Sequence, residues 1–318
     1  MKDCYAAYVK VGEEIQTFFL LKSVAVKTGS TGKTYLDLLL GDYTGDLNAK
    51  KWDISADDPE IPQLQEGQLV KIKGTVTEFN GQKQLRVQRI RRATEQDNLE
   101  KTDYIKSAPE PAADMFLYLL SAAEKMADED LKKLCITVLK RNEERFLYYP
   151  AATRNHHAEL AGLLWHMKRM AMSGEALCRV YTFLNRDLLI AGVILHDTQK
   201  LNEIEASDMG VASGYSFEGN MLGHLVMGVR EIEKLAEELG IPREKTTMLE
   251  HMVLSHHYEP EFGSPKKPLF AEAEMLHYLD IVDARMYDFE EALKGLEPGT
   301  FSEKIWTLDN RRIYKAEK

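Results

Sequence analysis

The stretch AGVILHDTQK, residues 191–200, ends an apolar run in an adjacent His196-Asp197 pair, with a lysine, Lys200, three places on. With the residues before it, DLLIAGVIL, it follows a helical pattern in which almost every face is apolar. One reading is a core helix that happens to carry a polar end. The other is a helix that brings an imidazole, a carboxylate and an ammonium to one place, and the surrounding sequence decides between them.

Working outward, the chain has nine histidines, and none lies before residue 156. A lone histidine on an apolar face is usually a packed residue with a satisfied ring nitrogen. Here His166 lies in GLLWHMKRM, His196 and Asp197 in ILHDTQK, His224 in NMLGHLVMG, His256 and His257 in LSHHYEP, and Asp280 in HYLDIVDARM. Each sits within or at the end of an apolar helical pattern. Burying so many imidazoles and carboxylates without partners is costly, so a shared partner is expected. Imidazole nitrogen with carboxylate oxygen suits a first-row divalent metal, Mn, Fe, Co, Ni or Zn, whereas an all-oxygen set would point to Mg or Ca.

Further out, the character of the chain changes near residue 100. Before it come short alternating or β-branched runs, TFFLLKSVAV, TYLDLLLGD, LVKIKGTVTEF and QLRVQRI, separated by glycine-bearing turns that include Asn80-Gly81, a strong hairpin signal. A small β-barrel is expected over residues 1–95. The polar stretch ATEQDNLEKTDYIKSAPEPAAD, with Pro109 and Pro111, predicts a linker over 96–112. From 113 to 318 the periodicity is helical, and an all-α domain is expected. KTGSTGKT, residues 27–34, ends like a phosphate-binding loop, but Lys27 replaces the required first glycine and the segment joins two strands, so a β-turn is the better reading.

A chain of 318 residues with 44% apolar content fits two domains. With no leader pattern and no apolar run near the ~20 residues of a membrane span, a cytoplasmic protein without a membrane partner is expected. Cys4, Cys135 and Cys178 are too scattered for a disulfide framework or a thiolate metal site. The net charge of −10 disfavours a global positive field. Locally, however, residues 69–92 hold Lys71, Lys73, Lys83, Arg86, Arg89, Arg91 and Arg92 against the single acid Glu78.

The order His166, His196-Asp197, Asp280 resembles the H…HD…D signature of HD-domain metal-dependent phosphohydrolases. His224 and the His256-His257 pair are similar to its extended, two-metal version. The motifs HHAELAGLLWHMKRM, GVILHDTQK, EGNMLGHLVMG, VLSHHYEPEFGSPKKP and YLDIVDARM, following a barrel, resemble the YhaM family of 3′-to-5′ exoribonucleases over nearly the whole chain. That resemblance implies a multidomain protein: an N-terminal all-β OB-fold barrel and a C-terminal all-α HD domain. It implies His166, His196, Asp197 and Asp280 as ligands of one metal, with Asp197 bridging to a second held by His224, His256 and His257. Manganese is the first candidate for the two ions; cobalt, iron, nickel and zinc are the others. Asp283, one helical turn beyond Asp280, is equally consistent with ligating directly and with supporting a ligand. His156 and His157 are placed either at a substrate phosphate or in a supporting position.

The implied chemistry explains the residue types. Two divalent metals ~3.5–4 Å apart can activate water, neutralise the phosphate oxygens and assist the departing oxygen. Asp197 and Lys200 are the expected catalytic pair, Lys200 acting as a fixed positive charge on the phosphate. Family motifs commonly read His-Asp-Ile-Gly-Lys; Thr198 and Gln199 leave the ligands intact but bear on the backbone path and on the aim of Lys200. An OB-fold binds single strands through a basic groove and stacking aromatics. Lys71, Lys73, Lys83, Arg86 and Arg89, with Trp52 and Phe79, are therefore the expected substrate contacts, together with His157. Phe18, Phe19 and Tyr35 are further aromatic candidates more in keeping with the core, and only one of the adjacent Phe18-Phe19 rings can face outward. Single-stranded RNA is the expected partner, with single-stranded DNA as an alternative and a homo-oligomer left open. Two other readings stand beside this one: an HD phosphohydrolase acting on a small nucleotide, and a noncatalytic strand-binding protein.

Overall fold

Alternation of side chains in residues 69–92 builds the wall of a barrel. The computed structural model describes residues 2–29, 32–52, 54, 64–153 and 157–317. Strands β1 (Glu14–Thr28), β2 (Thr34–Asp42), β3 (Gly45–Trp52), β4 (Leu69–Phe79) and β5 (Gln82–Arg92) close in the order β1-β2-β3-β5-β4. In β4, Val70, Ile72, Gly74 and Val76 are buried, while Lys71, Lys73, Thr75 and Thr77 alternate outward. Asn80 and Gly81 both take positive φ, 51° and 75°, which matches the twist of the β4–β5 hairpin. The long β1 pairs with β4 through its first half and with β2 through its second, across a bulge between Leu21 and Ser23. A parallel contact of β3 with β5 completes the closure. Phe19, Leu36, Leu40, Ile72, Leu85 and Ile90 fill the interior.

The expected linker is partly folded onto this unit. Two compact units divide between Ser107 and Ala108. Arg91 grips Asp97 with two hydrogen bonds of 2.8 and 2.7 Å, and Asp103 accepts from the Lys2 backbone amide and the Tyr5 hydroxyl. These polar residues therefore bond to the barrel unit, which composition alone did not reveal.

In the second unit, helices α1 (Ala112–Glu124), α2 (Glu129–Arg141), α3 (Glu143–Phe146) and α4 (Gly162–Val180) precede α5 (Arg186–Leu195). After α5 come α6 (Lys200–Glu203), α7 (Phe217–Leu239), α8 (Arg243–Ser255) and α9 (Ala271–Leu293). Every residue of α5 from Leu188 to Leu195 is buried, so its all-round apolar sequence marks it as the central helix. Asn185 caps its N-terminus by accepting from the Leu188 amide. The expected all-α domain also carries two short hairpins: β6 (Ile204–Ala206) pairs with β7 (Ala212–Tyr215), and β8 (Phe301–Ile305) with β9 (Arg311–Tyr314). Strands of three to five residues are too short to leave a period in the sequence. Among the described residues, no helix is long and apolar enough to cross a membrane.

Opposite the β5 bulge, a Cβ on Gly74 would lie 2.5 Å from the Arg86 carbonyl oxygen, in backbone that cannot yield cheaply. Gly74→Ala is expected to lower stability by about 1–3 kcal/mol. Urea unfolding of the full chain against the wild type checks this.

Candidate metal centre

Five helical segments bring the site together. His166 projects from the first turns of α4. His196 and Asp197 follow the C-terminus of α5, His256 and His257 follow α8, and Asp280 and Asp283 stand one turn apart on α9. His224 owes its position to a break: within α7, Gly223 takes φ 70° and ψ 161°, which only glycine adopts readily, and the helix restarts at His224. Glu203 caps that restart, accepting from the His224 backbone amide at 2.9 Å and from its Nδ1 at 3.0 Å.

The hydrogen bonds on the outer side of the rings fix what each ring offers inward. His196 Nδ1 bonds the Val193 carbonyl at 2.8 Å, His256 Nδ1 that of Val253 at 2.7 Å, and His257 Nδ1 that of Phe262 at 2.7 Å. His166 Nδ1 lies 2.8 Å from Asp283. Carbonyls and carboxylates only accept, so each of these Nδ1 atoms donates, and Nε2 is left to face the centre. The Nε2 atoms of His166 and His196 are 3.4 Å apart; Asp197 Oδ2 lies 3.3 Å from His196 and 3.6 Å from His166. The other Asp197 oxygen, Oδ1, faces His224 Nε2 at 3.4 Å and His256 Nε2 at 3.9 Å. Asp280 Oδ1 approaches His166 Nε2 at 3.4 Å.

These groups fit a divalent metal. Asp197 Oδ1, His224 Nε2 and His256 Nε2 are buried and have no hydrogen-bond partner, an arrangement that a protein rarely tolerates without an ion. Ligand atoms about 2.0–2.1 Å from one ion at tetrahedral angles stand about 3.3 Å apart, close to several of the separations found. Among the described residues three sets of mutually close donors lie here, His166-His196-Asp197, His224-His256-His257 and His157-His166-Asp283, the last already joined by hydrogen bonds. Burial lowers the His256 imidazole well below its ordinary range, leaving it neutral, as a ligand must be. Burial opposes ionisation of Asp197, but Lys200 and the surrounding imidazoles outweigh it and hold the carboxyl ionised. Burial likewise opposes the charge on His166, yet Asp280 and Asp283 push that imidazole up to about 10.

Around the cluster the placements differ from those expected. Lys200 donates to Asp197 Oδ2 at 2.7 Å, and the neighbouring carboxylates outweigh burial to keep the ammonium charged. Gln199 takes ordinary right-handed backbone, φ −78° and ψ −2°, so this position makes no demand for glycine. Thr198 turns its hydroxyl back to the Ile194 carbonyl at 2.8 Å. His157 is a correction: it is fully buried, its Nε2 lies 2.7 Å from Asp283, and burial lowers it to about 4. A neutral, buried ring bonded to Asp283, with its centroid 5.4 Å from that of His166, supports the cluster from the core side. His156 lies outside the described residues.

On the barrel, Trp52 and Phe79 are exposed, at 37% and 59%, and Tyr35 packs against Trp52 with ring centroids 4.4 Å apart. Lys50 Nζ stands 5.1, 5.9 and 5.7 Å from the Tyr35, Trp52 and Phe79 rings. Phe19 is core, and Phe18 faces outward beside Lys71. Arg86 is the register partner of Lys50, and Lys73 that of Arg89. Lys83 instead sits opposite Glu78 near the hairpin tip, with the parity of inward-facing Leu85, so it does not share the Arg86 face.

Residues 22–93 match the family model of the OB-fold nucleic acid binding domain, and residues 163–285 that of the HD domain. A protein of Geobacillus sp. (strain WCH70) described as 3′-5′ exoribonuclease YhaM is 41% identical over 97% of this chain and 94% of its own length. This chain belongs to the YhaM family. Relatives under the same description in Oceanobacillus iheyensis and Bacillus subtilis are 40% and 39% identical, over 97% and 96% of this chain and 96% of each of theirs. In this YhaM-family chain the HD domain works with divalent metal. Two supports of its histidines escaped the sequence reading. Glu203 lies outside any motif, and Arg169, whose Nε donates to Asp283 at 2.6 Å, sits three residues after His166 in WHMKRM.

Two outcomes follow from this geometry. In the metal-free protein His166 is protonated below about pH 10, and an incoming ion displaces that proton. Affinity for Mn²⁺ is therefore expected to rise about tenfold per pH unit between about pH 6 and pH 9, as chelator-competition titration reads. Glu203→Gln loses one acceptor and turns an amide donor toward His224, and is expected to weaken metal binding about 10–100-fold, measured calorimetrically.

Proposed function

We propose that the protein removes nucleotides from the 3′ end of single-stranded RNA, with two divalent ions at the centre of the HD domain. In this reading His166, His196, Asp197 and Asp280 hold one ion, and His224, His256 and His257 hold the other with Asp197. The observation that carries it is Asp197: one carboxylate oxygen faces His166 and His196, the other faces His224 and His256. Manganese is the first choice among the first-row metals that this nitrogen-and-oxygen set suits.

When bound, the ions supply Lewis acidity and charge neutralisation at the scissile phosphodiester. The chain's own residues do the rest. The acceptors behind each ring, the backbone carbonyls of Val193, Val253 and Phe262 and the carboxylates of Glu203 and Asp283, fix the tautomers and the ring directions. Lys200 keeps a positive charge at the edge of the cluster, where it favours the extra negative charge that the phosphate gains in the transition state. Asp283, tied to Arg169, His157 and His166, holds the α9 side of the site in place. On the barrel, the Tyr35-Trp52-Phe79 cluster around Lys50 supplies stacking surface and a cation for the strand, and Lys71, Lys73, Arg86 and Arg89 supply charge for its phosphates. That face favours a polynucleotide over a small nucleotide.

With Mn²⁺, 5′-labelled single-stranded RNA with a free 3′ end is expected to shorten as a ladder one nucleotide at a time, and the label to remain on the shrinking strand. Asp197→Ala and an excess of chelator are each expected to reduce shortening to background. Mononucleotide turnover without any RNA ladder would count against this reading.

A further inference from the structure

The C-terminal hairpin lies beyond the residues matched by either family model, and it carries a surface of its own. Its register places Phe301 opposite Tyr314 and Lys304 opposite Arg312, across a bulge. Tyr314 and Arg312 are two residues apart on β9, so both point to the same face, and their partners join them there. The aromatic rings stand 4.9 Å apart, and the Arg312 guanidinium lies 5.6 Å from the Phe301 ring centroid. On the opposite face, Ser302 and Ile313 are buried. Trp306, in the turn between the strands, is 72% exposed.

Charge on the hairpin opposes that of the whole protein. Residues 301–315 hold Lys304, Arg311, Arg312 and Lys315 against Glu303 and Asp309, in a chain of net charge −10. Asp309 is already held by Arg285 at 2.6 Å and Arg311 at 3.2 Å. Exposed rings interleaved with cations are what a single strand meets on a stacking platform: rings for the bases, charges for the phosphates. The hairpin is fixed to α9, which also carries Asp280. Arg285 donates to the Thr307 carbonyl at 2.9 Å, and Lys315 to the Leu293 and Leu296 carbonyls at 3.1 and 2.6 Å.

We infer that the outward face of this hairpin, Phe301, Lys304, Arg312 and Tyr314 with Trp306 beside it, is a second contact surface for single-stranded RNA. The inference rests on the exoribonuclease reading for its substrate, but not on which residues hold metal. It assigns to the HD-bearing unit a grip on the strand separate from the barrel's.

The test compares the full-length wild type with Lys304→Gln/Arg312→Gln, binding a labelled 20-nucleotide single-stranded RNA in chelator at several salt concentrations. The double variant is expected to bind about tenfold more weakly at low salt, with the slope of log affinity against log salt reduced by about 1.4, two contacts at about 0.7 each. Mn²⁺-dependent turnover of bis(p-nitrophenyl) phosphate, which offers no strand of bases and phosphates for the hairpin to hold, is expected to be unchanged. Should the double variant lose that turnover as well, Phe301→Leu, which keeps the apolar packing and removes the ring, decides by the same binding measurement. Unchanged RNA affinity and salt slope would overturn the inference. So would unchanged RNA affinity together with a loss of self-association in the variant, which would assign the face to a second copy of the chain. A wild type that binds RNA but sheds no 3′ nucleotides defeats the exoribonuclease reading alone, and the comparison of affinities still decides the hairpin.

Discussion

The direction of five imidazole rings is the constraint on which the second unit depends. His166, His196, His224, His256 and His257 each spend Nδ1 on an acceptor belonging to the chain, so each must turn Nε2 toward the same interior space. Lone pairs gathered this way, beside the carboxylates of Asp197 and Asp280, repel one another unless positive charge lies between them. In the metal-free protein part of that charge comes from Lys200 and from protonated His166. An ion supplies it more completely, which makes metal binding and the integrity of this region one problem.

The architecture meets the constraint by putting the least polar helix at the centre. Buried along its whole C-terminal stretch, α5 has no solvent face, and the two residues that follow it, His196 and Asp197, enter the middle of the cluster. The neighbouring helices α4, α8 and α9 pack on α5 and bring their own donors to the same end. Two of the ring-orienting acceptors, Val193 and Val253, are backbone carbonyls three residues before His196 and His256, within the last turn of each helix. Carbonyls at a helix C-terminus lack partners within the helix, so the histidines that follow satisfy them at no cost to the helix.

Much of the fold was legible because period and turn chemistry are local. Alternation in LVKIKGTVTEF and QLRVQRI, joined by Asn80-Gly81, marked the β4–β5 hairpin, and the unbroken apolar run before His196 marked the central helix. The metal-binding candidates were legible through the order of their motifs. What escaped depends on contacts between segments distant in sequence. Glu203 is an ordinary glutamate until the break at Gly223 brings His224 onto it. His157 had two readings, a substrate contact or a supporting position, and Asp283, 126 residues away, decides for the second by drawing it into the core. Lys50, apart from the basic run at 69–92, meets Tyr35 and Trp52 through the β2–β3 pairing and reaches Phe79 because β3 lies beside β5 in the closed barrel. The doubt raised by Gln199 dissolved for a local reason: its backbone conformation is one that any residue adopts.

The interruption in α7 has a consequence for how this protein can change over generations. A residue with a side chain at position 223 would have to occupy backbone territory closed to it, or else straighten the helix and carry the following imidazole off its carboxylate. Inheritance therefore has to guard a residue with no functional group as strictly as the histidine after it. A base change that replaces this glycine moves His224 off Glu203 while leaving every histidine and carboxylate of the cluster written in the gene.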